Sequence, residues 1–211
     1  MKSYLLFGTA LAAVLVGLCM AAPEPAVVQR AGQWTLEVRY EHPQQLVLPW
    51  GPGGEQRFWY VIATVTNRTG ADAEFYPKCD LMTDTFQVVP AGRGVPPVVF
   101  DMIRQRHASR YPFLESLQSV PNRVLEGEDN ARDIAIIWRD FDPQAANFHL
   151  FLGGLSNETA VVAHPVAVDA DGKPLPVYLR KTLEMNYALR GDPAMRSSVE
   201  VVFKGQNWVM R

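Results

Sequence analysis

The amino-acid sequence predicts an all-β-dominated fold, an antiparallel β-sandwich that carries one short helical insertion. Three observations lead to this class. Residues 34–41 alternate between apolar and polar side chains, short runs rich in β-branched and aromatic residues recur along the chain, and Pro-, Gly- and Asn-rich turn signals separate these runs. Because the strands do not alternate with long helices, the pattern favours antiparallel sheets over a doubly wound α/β sheet.

The first strand is predicted over residues 34–41. Trp34, Leu36, Val38 and Tyr40 are the apolar members of the alternation, and the residues between them are polar. Period-two alternation of this kind is typical of a strand with one buried face and one solvated face.

The next strand is predicted over residues 57–66, which are dense in aromatic and β-branched residues and end at the turn signal Asn67-Arg68-Thr69-Gly70. We interpret Asn67-Arg68-Thr69 as a turn rather than a glycosylation site, and Asp171-Gly172 as a hairpin turn. The remaining strands are predicted over residues 73–76, 81–89, 131–139, 148–152, 160–168, 177–189, 198–204 and 208–210.

The β pattern is interrupted by an insertion at about residues 97–120. Pro97 suits the first position of a helix, and Val99, Met102 and Ile103 fall on one helical face. The sequence therefore predicts one or two short helices between strands.

The first 22 residues have the order of a secretory signal peptide: one positive charge at Lys2, then an apolar stretch from Tyr4 to Ala22. Retention of this stretch as an anchor and lipidation at Cys19 are the two alternatives. Residues 23–32 are predicted as a linker, and residues 33–211 as the folded domain. We expect an exported protein, periplasmic or extracellular and possibly membrane-tethered, that contacts the membrane only through this N-terminal segment.

The charge and cysteine content exclude several classes. A formal net charge of −2 provides no basic footprint for nucleic acid, so we expect no nucleic-acid partner. Once the signal segment is removed, Cys79 is the single cysteine left, and the domain must fold without an intramolecular disulfide.

Two segments resemble Ig-like β-sandwich domains of exported bacterial proteins. Residues 58–70, Phe-Trp-Tyr-Val-Ile-Ala-Thr-Val-Thr-Asn-Arg-Thr-Gly, are similar to the long strand that ends in an N-x-T/S-G turn in such domains. Residues 125–138 look like the P-G-E-x-x-x-G-x-x-x-F link that crosses to the opposite sheet, with Glu126 in place of Pro and Asp133 in place of Gly. The resemblance covers about half of the mature chain and implies an Ig-like fold, without any chemistry.

Few residues suggest catalysis. A lone thiol beside Lys78 makes Cys79 a conceivable nucleophile, and the alternative is a structural cysteine. The four histidines are scattered without zinc-ligand spacing, and Asp169-Ala170-Asp171-Gly172 departs from a calcium loop. We therefore expect no cofactor, no metal site and no enzymatic activity.

Possible ligand or partner contacts lie at two places. Trp50, in a Pro- and Gly-rich loop, offers a stacking surface for a sugar ring, unless it closes the end of the sandwich. Arg104, Arg106, His107 and Arg110 could hold an anionic group, although cations also complement the carboxyl end of a helix. The other tryptophans, which lie in strand patterns, are expected in the core: Trp34, Trp59, Trp138 and Trp208.

Three functions follow from the sequence. The first is a non-enzymatic extracytoplasmic module that binds or scaffolds a protein or an envelope component. The second is a carbohydrate-binding module, which depends on Trp50 and the aromatic strands. The third is a hydrolase that uses Cys79.

Overall fold

The computed structural model describes residues 26–28, 32–52 and 54–211. This part of the chain is mostly β-structure, as the sequence predicts. Its helices are α1 (Pro97–His107) and a 3-10 helix at Pro193–Ser198. Cys19 and the predicted N-terminal segment at residues 1–22 lie outside the described residues. Within the described ranges, no helix is long and apolar enough to span a bilayer.

The larger sheet of the described residues has seven strands. In the order β1-β12-β13-β11-β6-β7, all neighbours are antiparallel, and β14 pairs with a further part of β13. The strands are β1 (Ala26–Val28), β6 (Lys78–Thr83), β7 (Val88–Pro90), β11 (Asn147–Gly153), β12 (Thr159–Val168), β13 (Pro174–Arg190) and β14 (Glu200–Met210).

The smaller sheet has five strands in the order β2-β4-β10-β8, with β3 also paired to β4. Its pairings are antiparallel except for that between β8 and β10. A separate antiparallel pair joins β5 and β9. The strands are β2 (Glu37–Tyr40), β3 (Gln44–Trp50), β4 (Gly54–Asn67), β5 (Ala73–Glu74), β8 (Glu115–Ser116), β9 (Arg123–Val124) and β10 (Gly127–Arg139).

The main core lies between the larger sheet and the smaller sheet. The smaller sheet contributes Trp59 and Trp138, and the larger sheet contributes Leu150 and Met185, all at most 1% exposed. Alternate residues of each strand point into this core, which explains the period-two pattern of the sequence.

A second core covers the outer face of the smaller sheet. Helix α1 packs Val99 and Ile103 onto Tyr60 and Ile62 of β4. Because β4 is covered on both faces, residues 58–63 are all buried and read as a continuous apolar run.

The predicted insertion at 97–120 is helical only in its first part. Helix α1 ends at His107, and the segment after it forms β8, which pairs in parallel with Ile134 and Ala135 of β10. No second helix follows α1 among the described residues up to 120. The prediction of a linker over residues 23–32 also needs correction, because Ala26–Val28 forms β1 and pairs with β12.

The C-terminal strands differ from the prediction as well. The two predicted strands over residues 198–204 and 208–210 are one strand, β14, which begins at Glu200 because Ser198 still belongs to the 3-10 helix. The register of β14 shifts by one residue at Lys204 and Gly205. Trp59 and Trp138 lie in the core as predicted, but Trp208 is 41% exposed. Trp208 pairs with the core residue Leu183 and faces the same side of the sheet, and the Nζ atom of Lys181 lies 5.3 Å from the centroid of its ring.

Candidate functional site

The cations predicted at the end of α1 already have partners within the fold. Arg104 pairs with Asp101 at 2.9 Å and lies over the Phe100 ring. Arg106 donates to the carbonyl oxygen of Gln45 and to the hydroxyl of Tyr60, both at 3.3 Å. The Arg104 contacts lie within α1, whereas the Arg106 contacts tie the helix to the smaller sheet. Both sets of contacts use donors that an anion would need.

His107 and Arg110 join the same network. The Tyr60 hydroxyl donates to Gln44 at 2.9 Å, so the Nε2 atom of His107, 3.0 Å away, is the donor to Tyr60. Arg110 pairs with Glu41 at 2.6 Å. The structure thus brings three of the four predicted residues together, but as a cross-link between α1 and the sheet.

The pKa values in this network follow from burial. Burial lowers the pKa of His107, raises that of Tyr60 and, with a hydrogen bond to Glu41, raises that of Tyr111 to about 12. Both tyrosines therefore remain neutral donors at physiological pH, and neutral His107 is favoured.

Trp50 is the last residue of β3, paired in register with Gly54 at the end of the β3–β4 hairpin. Its backbone thus belongs to a strand end rather than to an open loop. The position of its ring lies outside the described features.

Cys79 is a core side chain. It is 3% exposed, and burial raises the pKa of its thiol well above the ordinary value. The described histidines direct their hydrogen bonds elsewhere: His42 to Tyr187, His107 to Tyr60, His149 to Glu184 and His164 to its own turn. The thiol therefore has neither the access nor the base that a nucleophile needs.

A groove on the outer face of the larger sheet has a different character. We call it the basic groove, and it encloses about 460 Å³. It is lined by Tyr76, Lys78, Asp80, Phe151, Gly153, Gly154, Arg180, Thr182 and Arg211.

Strand register brings these residues together. Phe151 of β11 pairs with Asp80 of β6, and Gly153 pairs with Lys78. Since Leu150 and Leu152 point into the core, the alternation turns Phe151 and Gly153 outward.

Arg211 reaches the basic groove from the far end of the sheet. Its backbone exchanges hydrogen bonds with Arg180, at 2.7 and 3.1 Å. Its guanidinium lies 4.0 Å from the centroid of the Phe151 ring and 4.0 Å from Asp80 Oδ2. The ring therefore holds the guanidinium flat against the sheet, and one carboxylate offsets its charge only in part.

The other two cations of the basic groove carry no such compensation. Neither Lys78 nor Arg180 forms an ion pair with a described residue, so three cations face the single carboxylate of Asp80. This contrasts with the end of α1, where Arg104 and Arg110 are each paired to a carboxylate.

The floor of the basic groove is made of backbone. Gly153 leaves room beside Thr182, and Gly154, with φ of +90°, packs against the backbone carbonyl of Tyr76. A side chain at either position would narrow the groove. The two glycines keep the space between Lys78 and Arg180 open.

The basic groove continues into a neighbouring hollow that shares Tyr76, Gly154 and Arg180. Trp34 and Asn157 line the extension, and the Asn157 side chain accepts a hydrogen bond from the Trp34 backbone at 2.8 Å. Tyr76 is 57% exposed at the junction. Aromatic rings and cations thus lie along one continuous depression.

Within the basic groove, the Thr182 hydroxyl donates to the backbone carbonyl of Arg180 at 3.0 Å rather than to Asp80 or Lys78. Among the described residues, no group of three or more His, Cys, Asp and Glu side chains is placed to hold a metal ion. The arrangement suits an anionic ligand that also offers a ring or an apolar face for stacking.

The sequence did not single out this site. The outward positions of β6 and β11 could have been read from the alternation of Lys78 and Asp80 with Cys79 and Leu81. Nothing in the sequence signals that Arg180 and Arg211 meet there, because that meeting depends on the pairing of β13 with β14.

Comparison with known proteins adds no guide to function. No family model matches the chain, and no curated protein or solved structure matches it significantly.

Proposed function

We propose that this protein is a non-enzymatic, exported binding or scaffolding module whose basic groove holds an acidic component of the cell envelope. The convergence of Lys78, Arg180 and Arg211 around the single carboxylate of Asp80 carries this proposal. Cations without internal partners are free to contact a ligand, and their mutual repulsion falls when an anion binds.

Other features support the same proposal. The apolar N-terminal stretch fits export, and two sheets packed over one core fit the Ig-like sandwich that the sequence suggests. The buried thiol of Cys79, away from the hydrogen bonds of the histidines, favours a binding role over hydrolysis.

An acidic carbohydrate is the second candidate ligand, and it is favoured by the extension of the basic groove. Tyr76 is exposed, and Trp34 is fixed in place by Ser156 and Asn157. Sugar rings stack on such aromatic faces, while carboxylates on the sugar would reach Arg180 and Lys78. An acidic protein segment would use the cations and leave the aromatic faces less engaged.

Titration calorimetry on the intact chain tests the proposal with two probes, a polyuronate oligosaccharide and a poly-glutamate peptide. We expect binding of at least one probe that weakens with added salt. Lys78→Gln and Arg211→Gln should each weaken it about ten-fold, since charge-assisted contacts contribute about 1.5–3 kcal/mol. Preference for the polyuronate would identify the groove as a carbohydrate site.

Lys204→Gln is the matched control, because Lys204 is an exposed lysine of β14 that does not line the basic groove. Its loss changes the net charge by the same amount. If neither probe binds, or if Lys204→Gln weakens binding as much as Lys78→Gln, the basic groove is not the ligand site.

A further inference from the structure

The hairpin of β12 and β13 extends beyond the rest of the larger sheet. β12 pairs with β1 only over Thr159–Val161, and β11 joins β13 only from Leu183 onward. β14 joins β13 from Lys181 onward, so residues 162–168 and 174–180 pair with each other and with no other described strand. We call residues 162–180 the hairpin arm, and at about 3.3 Å per residue it is about 20 Å long.

The hairpin arm exposes large apolar side chains. Val166 is 83% exposed, Tyr178 62%, Val168 54% and Leu175 40%. An isolated two-stranded ribbon is only marginally stable in water, and contiguous exposed apolar surface marks an interaction site. The exposed apolar side chains of the arm therefore indicate a packing partner that the described part of the chain does not provide.

The edges of the hairpin arm are poorly suited to strand addition. Pro165, Pro174 and Pro176 lack backbone N–H groups. The register shifts between Ala163 and Val168, and the His164 ring accepts the backbone N–H of Ala167 at 2.7 Å. A partner must therefore pack on a face of the arm rather than extend its edge.

One face of the hairpin arm is the better docking surface. The register places Ala163, Pro176, Tyr178 and Arg180 on the same face, all of them exposed. The other face carries Leu175, which is 40% exposed, and Val177 and Leu179, which are partly buried.

Charge is distributed unevenly along the hairpin arm. The tip carries Asp169 and Asp171 against Lys173, and the Asp169 carboxylate accepts the N–H groups of both other residues. The base carries Arg180, which forms no ion pair with a described residue. The tip is therefore acidic and the base basic.

We propose that the hairpin arm is the interface of a symmetric homodimer, in which two arms stack face to face and antiparallel. In this arrangement the acidic tip of each arm lies against Arg180 of the other, so one surface is complementary to itself. Such self-complementarity is what a two-fold interface requires.

The dimer interface is a different site from the ligand site of the basic groove, but both sites include Arg180. Stacking would bring Asp169 and Asp171 of the second copy to the rim of the basic groove. Dimerisation and binding of an acidic ligand should therefore compete for this cation.

Sedimentation equilibrium of the intact chain, at about 1–100 μM as suits an interface of this size, tests the proposal. We expect a dimer whose dissociation constant rises at least about ten-fold in Val166→Ser/Tyr178→Ser, because the apolar contact is lost. Phe113→Ser is the control, since Phe113 is 83% exposed like Val166 but lies outside the arm. All these side chains are exposed, so the variants should fold.

Charge reversal tests the antiparallel arrangement itself. Asp171→Lys and Arg180→Asp should each weaken the dimer, and the two together should restore it, because the new charges face each other across the interface. A chain that is monomeric at every concentration overturns the proposal. So does a dimer that Val166→Ser/Tyr178→Ser leaves intact, or binding of the arm to phosphatidylcholine vesicles by a monomeric chain.

The two proposals can be tested separately although they share Arg180. The polyuronate and poly-glutamate titrations are repeated on Val166→Ser/Tyr178→Ser, in which the second copy no longer covers the basic groove. Failure of the native chain to dimerise, with intact probe binding, rejects only the arm interface. A native dimer whose weakened variant still binds neither probe rejects only the basic groove as ligand site.

Discussion

Gly154 shows how one residue fixes the shape of the basic groove. Its φ is +90°, and a Cβ atom there would lie 2.6 Å from the Tyr76 carbonyl oxygen. Two non-bonded heavy atoms do not lie this close together, and the carbonyl oxygen is held in place because it belongs to the backbone. The chain can therefore turn from β11 beneath the exposed Tyr76 ring only with glycine at this position.

We expect Gly154→Ala to destabilise the protein strongly. Gly172→Ala is the comparison, because Gly172 also has positive φ, +77°, but open space around it. Gly172→Ala should cost about 1 kcal/mol of unfolding free energy from backbone strain. Gly154→Ala should cost about 2 kcal/mol more from the clash, as measured by urea denaturation. Equal losses in the two variants would mean that the Tyr76 carbonyl does not constrain this turn.

The structural role of Arg196 could not be predicted from its place in the sequence. It is 6% exposed and packs its guanidinium 4.5 Å from the Phe141 ring centroid, with Asp140 nearby at 3.7 Å. Burial lowers its pKa from the usual value. A buried cation between an aromatic ring and a carboxylate anchors the 3-10 helix at Pro193–Ser198 to the end of the sheets.

At the scale of elements, α1 is held by polar contacts at its carboxyl end as well as by its apolar face. A continuous series of side-chain hydrogen bonds runs from Glu41 through Gln44 and Tyr60 to His107. Because the end of the helix is partly buried, the neutral form of His107 is favoured over the charged form in this hydrogen-bonded series.

The position of His107 predicts a pH dependence. Burial lowers the pKa of His107 below its ordinary 6.5 in the folded state, against the opposing effect of Glu41. The unfolded chain therefore binds the proton more readily, and stability is lost as pH falls through about 6.5. We expect His107→Gln, which keeps a side-chain donor, to lose less stability than the native chain between about pH 8 and pH 5.

Urea denaturation of both proteins at a series of pH values measures this difference. Arg106 and Arg110, which also disfavour the charged ring, are unchanged in the variant. Parallel stability curves for the two proteins would show that His107 does not titrate differently in the folded and unfolded states.

Strands were predicted correctly where the local sequence pattern matches the burial of the strand in the fold. Residues 57–66 were predicted as a central strand from their aromatic and β-branched content, and they lie within β4 between two cores. Ala26–Val28 was missed because a three-residue strand that directly follows Pro25 has no pattern of its own and depends on β12 for its pairing. Likewise, β8 is defined only by its contact with β10.

At the scale of the whole molecule, the basic groove was beyond prediction for a related reason. Tyr76, Lys78, Phe151, Arg180 and Arg211 come from four separated parts of the chain. Their meeting depends on which strands are neighbours and in which register, and a single sequence does not contain that information. The sequence left open whether the cations at the end of α1 hold an anion or complement the carboxyl end of the helix, because proximity in sequence does not show that Glu41 and Tyr60 already engage them.

The two cores of the molecule share their central strands. β4 and β10 supply Trp59 and Trp138 to the core between the sheets, and they supply Tyr60 and Ile137 to the core under α1. Loss of either core exposes apolar side chains on the strands that support the other. The described domain should therefore unfold as one cooperative unit.

Ile103→Ala tests this coupling, because Ile103 is fully buried under α1, far from the two tryptophans of the main core. We expect a loss of about 2–4 kcal/mol in unfolding free energy. Tryptophan fluorescence and far-ultraviolet circular dichroism should shift together, since the helix and the main core unfold at once. Met102→Ala, on the same helix but 40% exposed, should cost much less. If circular dichroism shifted while fluorescence did not, α1 and its core would unfold separately from the main core, and β4 would not couple its two faces.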